Sequence, residues 1–259
     1  MLSVRYYSLR EYVNCLISYI NMKKMPKNTL FVTGTDTSVG KTYVCARLLE
    51  FLKKKGIQAG YQKWVATGAD AGVPEDLALC LSAAGIVPTP ESVEQQAPFR
   101  FRFPASPHLA AEIENREVEP EIIIENYITL AANYEWLIVE GVGGIMVPMR
   151  RDLLLVDLLA RLQPRTLVVA RSGLGTLNHT LLTLEALRNR EISVLGVVFS
   201  DAEEQEDEML VQDNMRTIEE TAPVRVFGRL RRKANKEKEE NSFMPVGQAI
   251  LEQLLNIES

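Results

Sequence analysis

Lys41 and Thr42 follow Gly40 at the end of the stretch Phe31-Val32-Thr33-Gly34-Thr35-Asp36-Thr37-Ser38-Val39-Gly40-Lys41-Thr42. A lysine and a hydroxyl placed after a loop of glycines and small residues can hold phosphate. The ammonium neutralises charge, and backbone N–H groups at the helix start point at one spot. The hydroxyl of Thr42 suits a phosphate-bound Mg²⁺. Five residues separate Gly34 from Gly40, one more than the standard spacing. The setting supports the loop nevertheless. Residues 29–32 form an apolar run that reads as a buried strand, and Val44, Leu48, Leu49 and Leu52 recur at helical spacing to about Lys55. An ordinary strand–helix turn has no need of Gly-Lys-Thr at the start of its helix.

Other strand ends carry groups fit for the same chemistry. Gln62-Lys63-Trp64-Val65-Ala66-Thr67-Gly68 places Lys63 near the γ-phosphate end of a nucleotide held in the loop. By itself, a lysine at a strand end is more often a surface charge. Leu137-Ile138-Val139-Glu140-Gly141-Val142-Gly143-Gly144 puts a carboxylate right after an apolar strand, where phosphate-loop enzymes keep an acid for the metal. The glycines behind it let backbone approach a ligand closely. Glu75-Asp76 begins a helix, and Asp76 either caps that helix or reaches the same cation. In Arg171-Ser172-Gly173-Leu174-Gly175-Thr176-Leu177-Asn178-His179-Thr180 a glycine turn opens another helix. Free amides at such a start suit a carboxylate, and a plain turn capped by Asn178 or His179 explains the pattern equally well.

These groups need a scaffold, and the periodicity supplies one. Strands are expected at residues 29–32, 59–65, 136–139, 166–170, 193–199 and 224–227. Helices are expected between them, over residues 42–55, 76–82, 107–114, 120–132, 153–162, 177–188 and 206–219. Short continuous apolar strands alternating with helices predict a single α/β domain with a doubly wound, mostly parallel sheet covered on both faces. Ligands in such folds sit beyond the carboxyl ends of the strands, where the phosphate loop already lies. Residues 88–107, with Pro88, Pro90, Pro98, Pro104 and Pro107, read as an ordered loop excursion. The charge runs at 203–208 and 231–240 read as solvated surface.

A chain of 259 residues can bury a sizeable core as one such domain. Its net charge of -5 argues against nucleic acid as a partner. Cys15, Cys45 and Cys80 lack metal-ligand spacing and read as free thiols in a reducing, cytoplasmic setting. His108 and His179 are the only histidines, which argues against a histidine-rich metal site. No apolar run approaches a membrane span. Residues 1–25 carry Tyr6, Tyr7, Tyr12 and Tyr19 and no small-residue cleavage site. They read as an N-terminal appendage before a domain at residues 26–259, with Met25 the expected native start and a transit peptide the less favoured reading.

Together the motifs resemble the dethiobiotin synthetase family, from about Asn28 to Phe227. The loop 34–42, Lys63 with Ala66-Thr67-Gly68, Asp76 in Glu75-Asp76-Leu77-Ala78-Leu79, Ser106-Pro107-His108, Glu140-Gly141-Val142-Gly143-Gly144 and Gly175-Thr176-Leu177-Asn178-His179 carry the resemblance in order. It implies a P-loop NTPase-like fold and an ATP-dependent ligase. Diaminopelargonate and CO₂ would give a carbamate, the carbamate would attack the γ-phosphoryl group of Mg-ATP, and the second amine would close the ureido ring. Nucleotide is then expected at Ser38, Val39, Gly40, Lys41, Thr42, Tyr43, Asp76, Glu140, Gly141, Val142, Gly143, Ser200 and Asp201. Mg²⁺ is expected on Thr42, Asp76 and Glu140, and Lys41 and Lys63 are expected as the catalytic cations. Thr67 would contact carbamate or diamine, and Gly175, Thr176, Leu177 and Asn178 would hold the substrate carboxylate across a homodimer interface.

The chain departs from the family pattern at three places. Trp64 replaces the Pro of the family's common Lys-Pro, after Lys63, and Ser200-Asp201 stands where many members have Asn-Asp. Gly228-Arg229-Leu230-Arg231-Arg232 lacks the usual Ile-Pro, so the base-binding end stays open. Three other readings compete, one of them a degenerate phosphate-binding module without turnover, against which the intact Lys41, Thr42, Asp76, Glu140 and Lys63 argue. An amide-forming synthetase of the cobyrinic-acid diamide type would carry an amidotransferase domain, for which there is no room. A partitioning-type ATPase favours an early loop lysine, where this chain has Thr35, Asp36 and Thr37.

Overall fold

The structure is a computed structural model that describes residues 25–69, 72–201, 206–231 and 236–256. The expected appendage therefore lies outside the described residues except for Met25, as do Cys15, Arg232 and parts of both charge runs. In chain order the elements are β1 (Thr29–Gly34), α1 (Lys41–Lys54), β2 (Ala59–Lys63), β3 (Val65–Thr67), α2 (Glu75–Ala83), α3 (Pro90–Gln96), β4 (Phe99–Phe101), α4 (Pro107–Ile113) and α5 (Pro120–Asn133). There follow β5 (Trp136–Gly144), β6 (Pro148–Arg150), β7 (Leu153–Leu154), α6 (Leu155–Leu162), β8 (Arg165–Arg171), α7 (Thr176–Arg188), β9 (Val194–Ser200), α8 (Glu208–Thr221), β10 (Val226–Leu230) and α9 (Lys236–Asn256).

Six strands form one parallel sheet in the order β10-β9-β8-β1-β5-β2. β1 lies inside the sheet, and every one of its residues is buried. Its alternation divides the core. Phe31 joins Trp64, Tyr127, Val139 and the apolar sides of α5, α6 and α7. Leu30 and Val32 face the other way, with Val44, Leu48, Leu77, Phe243 and Ile250 of α1, α2 and α9. After β1 the chain builds β2 and β5 on one flank and then β8, β9 and β10 on the other. That reversal opens a crevice at the carboxyl end of β1, and the phosphate loop occupies it.

Several expected bounds shift for identifiable reasons. The strand expected at 59–65 is broken at Trp64, and β3 leaves the main sheet to pair with β4. The indole is almost fully buried, packs 4.8 Å from the Phe31 ring, and donates from Nε1 to Gln62 Oε1 at 3.1 Å. The proline-rich excursion contains α3 and β4, because Pro90 at the first helical position opens a helix, with Thr89 accepting from the Ser92 amide. Leu153 and Leu154 form a short strand with β6 before α6 begins. β5 continues through the glycines to Gly144, so Glu140 lies within the strand, not after it. The run at 231–240 leads into α9, which the charge-rich reading had missed.

Candidate active site

Gly40 sits at φ 96°, a left-handed conformation that turns the loop into α1, and Ser38 is also left-handed at φ 55°. A Cβ on Gly40 would fall 2.4 Å from Ser200 Oγ, so the loop packs directly against the end of β9. Val39 is buried behind the loop, and Tyr43 is half-buried on α1. Lys41 Nζ donates to the Asp36 carbonyl at 2.9 Å, which folds the side chain back over its own loop. Burial and the nearby charge of Lys63 lower the Lys41 pKa to about 8, against the pull of Glu140.

Register brings the charged residues together. Lys63 of β2 pairs with Glu140 of β5, and Glu140 pairs with Val32 of β1. Lys63 Nζ lies 2.5 Å from Glu140 Oε1, 2.8 Å from Asp76 Oδ2 and 3.3 Å from the Gly141 carbonyl. Thr42 Oγ1 lies 3.0 Å from Asp76 Oδ1 and 2.9 Å from Glu140 Oε1. Only 1% of Glu140 and 5% of Lys63 is exposed, so this pair is shielded from water and its electrostatics are strong. Burial pulls the Lys63 pKa down, but Glu140 and Asp76 more than offset it and the ammonium stays charged. Burial likewise raises the Asp76 pKa, while Lys63 and the Thr42 hydroxyl bring it below the ordinary value.

The single proton of Thr42 serves only one of its two carboxylate neighbours at a time. Two carboxylates converging on a hydroxyl next to a phosphate loop make a hard, all-oxygen set of the kind Mg²⁺ takes alongside phosphate oxygens and water. Among the described residues no group of three or more His, Cys, Asp and Glu side chains could hold a metal ion. Of the glycines after Glu140, Gly141 lies against Phe31, where a Cβ would come 2.8 Å from the ring. Gly143 is left-handed at φ 58°, beside Thr37 of the loop, and Val142 between them is half-buried.

Other expected residues sit further out. Thr67 ends β3, half-buried and paired with Phe101. Gly175 caps α7 at φ 89°, at the same sheet end as the phosphate loop, and Arg171 reaches across to the Thr37 carbonyl at 3.4 Å. Thr176 is buried with its hydroxyl 3.3 Å from that of Thr180, while Leu177 and Asn178 continue the first turn. An open groove of about 180 Å³ beside α7 is lined by Thr35, Gly144, Met146, His179, Leu182 and Thr183. At the end of β9, Ser200 is buried, and the nearly buried Asp201 carboxylate is bound 2.7 Å from Arg229 Nε. The motif reading passed over Tyr61, whose hydroxyl donates to Glu140 Oε2 at 2.7 Å. The signal was available, because residues two apart on a strand share a face and Tyr61 is two before Lys63.

The parallel sheet, the glycine loop at its central strand and the carboxylates beside Lys41 and Thr42 define a P-loop nucleotide-binding α/β protein. Solved structures agree on the fold. The MinD cell division protein of Aquifex aeolicus matches 89% of this chain and 97% of its own at a TM-score of 0.52 and 14% identity. A ParA family ATPase of Chlorobium tepidum matches 88% and 99% at 0.50 and 15% identity. A family model described as an AAA domain matches residues 28–240. The ATP-dependent dethiobiotin synthetase of Methanococcus vannielii is 41% identical over 199 residues, covering 77% of this chain and 91% of the relative. That of Methanocaldococcus jannaschii is 39% identical over 203 residues, covering 77% and 92%. The chain belongs to the ATP-dependent dethiobiotin synthetase family, whose members are ligases of biotin biosynthesis.

Proposed function

We propose that the protein converts 7,8-diaminopelargonate, CO₂ and ATP into dethiobiotin, ADP and phosphate. The observation that carries this reading is Lys63. It is a buried lysine, held charged by Glu140 and Asp76 beside a phosphate loop, and a nucleotide-binding module has no need of it. Lys41 and the loop amides hold the β- and γ-phosphates. Thr42, Asp76 and Glu140 would hold Mg²⁺, which when bound neutralises phosphate charge. Lys63 sits where the negative carbamate oxygen meets the transferring phosphoryl group. There it stabilises charge that grows in the transition state and aligns the two reactants. The carbamate oxygen displaces ADP from the γ-phosphorus, giving a carbamic–phosphoric anhydride. The second amine then attacks the carbamate carbon, closing the ring and expelling phosphate.

The substrate carboxylate is assigned to the free amides of Gly175, Thr176, Leu177 and Asn178, contributed by a second copy in a homodimer, with Thr67 near the amines. The apolar groove beside α7 and the exposure of Leu174, Leu182 and Met146 support that contact surface. Among the described residues no helix is long and apolar enough to cross a membrane. Incubation with Mg-ATP, bicarbonate and diaminopelargonate should yield dethiobiotin by mass spectrometry. ATP hydrolysis that is equally fast without the diamine, and without product, would replace this reading with that of a regulatory ATPase.

A further inference from the structure

Glu140 has two carboxylate oxygens, and the structure gives them different partners. Oε1 faces Lys63 at 2.5 Å and Thr42 at 2.9 Å. Oε2 accepts from the Tyr61 hydroxyl at 2.7 Å, and both residues lie almost wholly out of solvent. Tyr61 lies in one buried cluster with Leu77, Cys80 and Leu81 of α2. That helix carries Asp76 and Cys80 one turn apart, so Asp76 reaches Lys63 while the Cys80 thiol donates to the Thr42 carbonyl at 3.7 Å. The phenolic O–H is the donor in this contact and the carboxylate oxygen the acceptor, with Tyr61 donating to Glu140. A carboxylate at the end of a flexible side chain swings about its last torsion unless something holds it.

We propose that Tyr61 is a positioning residue of the active site: by holding Oε2 it fixes the Glu140 carboxylate with Oε1 turned toward Thr42, Lys63 and the Mg²⁺ this site would take. The inference rests on the assignment of Glu140 to that cation. Outer partners of this kind change metal affinity about 10–100-fold when removed, because the ligand must then be ordered at the moment of binding. Tyr61→Phe keeps the ring that fills the core and removes only the donor. Tyr127→Phe is the control, since it also deletes a buried hydroxyl, one bonded to Thr29 at 2.6 Å.

Two readouts test this. Mg²⁺ is titrated into each variant with the β,γ-imido analogue of ATP, following the rise in melting temperature, and into the full reaction, following dethiobiotin. Tyr61→Phe should need about 10–100-fold more Mg²⁺ for half effect in both, with most of kcat regained at saturating Mg²⁺. Tyr127→Phe should match the wild-type protein in Mg²⁺ demand. An unchanged Mg²⁺ midpoint in Tyr61→Phe overturns the inference, and so does a fall in kcat at every Mg²⁺ concentration without a shift in midpoint. A wild-type protein that makes no dethiobiotin overturns the proposed reaction instead, and the melting-temperature readout still decides the role of Tyr61.

Discussion

Lys63→Met separates the structural and chemical parts played by the central lysine. Methionine keeps the length of the side chain and removes its charge. In the absence of Mg²⁺ this leaves Glu140, 1% exposed, without its ion-pair partner. Breaking a buried pair from one side costs about 3–5 kcal/mol. Asp76 adds little to that figure, since its side chain is 37% exposed and solvent screens it. At about 2–4 °C per kcal/mol for a domain somewhat smaller than this one, the metal-free variant should melt roughly 6–20 °C below the wild-type protein. Mg²⁺ with a nucleotide analogue supplies positive charge to the same carboxylates and should close much of that gap. Turnover should not return with it. Loss of one preorganised charge at the transferring group costs about 10²–10³ in kcat. The assays are calorimetric melting with EDTA or Mg²⁺, and dethiobiotin formation at saturating Mg²⁺. A variant that melts with the wild-type protein in EDTA would show that Glu140 does not depend on Lys63. One that turns over within about threefold of wild type would remove Lys63 from the chemistry.

Lys41, with its pKa lowered to about 8, is charged below that pH and neutral above it. Metal-free ATP, measured by calorimetry in EDTA, should therefore bind progressively more weakly as pH rises through 8, and Lys41→Arg should flatten the profile because the guanidinium stays charged. Gly40→Ala should lower ATP affinity at least about tenfold, because a left-handed alanine costs about 1–2 kcal/mol and its Cβ would also overlap Ser200 Oγ. Equilibrium dialysis with labelled nucleotide reads this, and Ser200→Ala should restore part of the loss. Finally, GTP or CTP should replace ATP in the synthesis assay at a cost below about tenfold, far from the 10⁴–10⁵ of a site built to hydrogen-bond its ligand. Ser200 is buried against the loop and the Asp201 carboxylate is taken by Arg229, so neither side chain is free to read a base.

The central strands and the helices that cover them were legible because each is a local pattern. β1, β8 and β9 are continuous apolar runs, and α1 repeats Val44, Leu48 and Leu52 at helical spacing. The misplacements share a cause, which is that partners distant in sequence override local cues. Glu140 was expected outside its strand because glycines follow it. β5 nevertheless continues, since Gly144 pairs with Gly34 and Gly141 makes room for the Phe31 ring. Trp64 reads locally as part of a strand, yet its burial against Phe31 and Tyr127 turns the chain out of the sheet. The C-terminal helix was hidden behind its charged start, although Phe243, Val246, Ile250 and Leu254 form an apolar stripe against α1.

The same logic explains why the phosphate loop could be recognised from its own residues while the rest of the site could not be assembled without pairing. Lys41 and Thr42 are fixed by one turn, so their spacing along the chain is their spacing in space. Lys63, Asp76 and Glu140 come from β2, α2 and β5, and only the register that sets Lys63 beside Glu140 makes them one cluster. A one-residue slip of β2 would send Lys63 to the opposite face and bring Gln62 or Trp64 to the carboxylate. Tyr61 lies on the same face as Lys63 and would leave with it. Register in this pair is thus the physical link between the apolar pattern of two strands and a lysine charged at the right place.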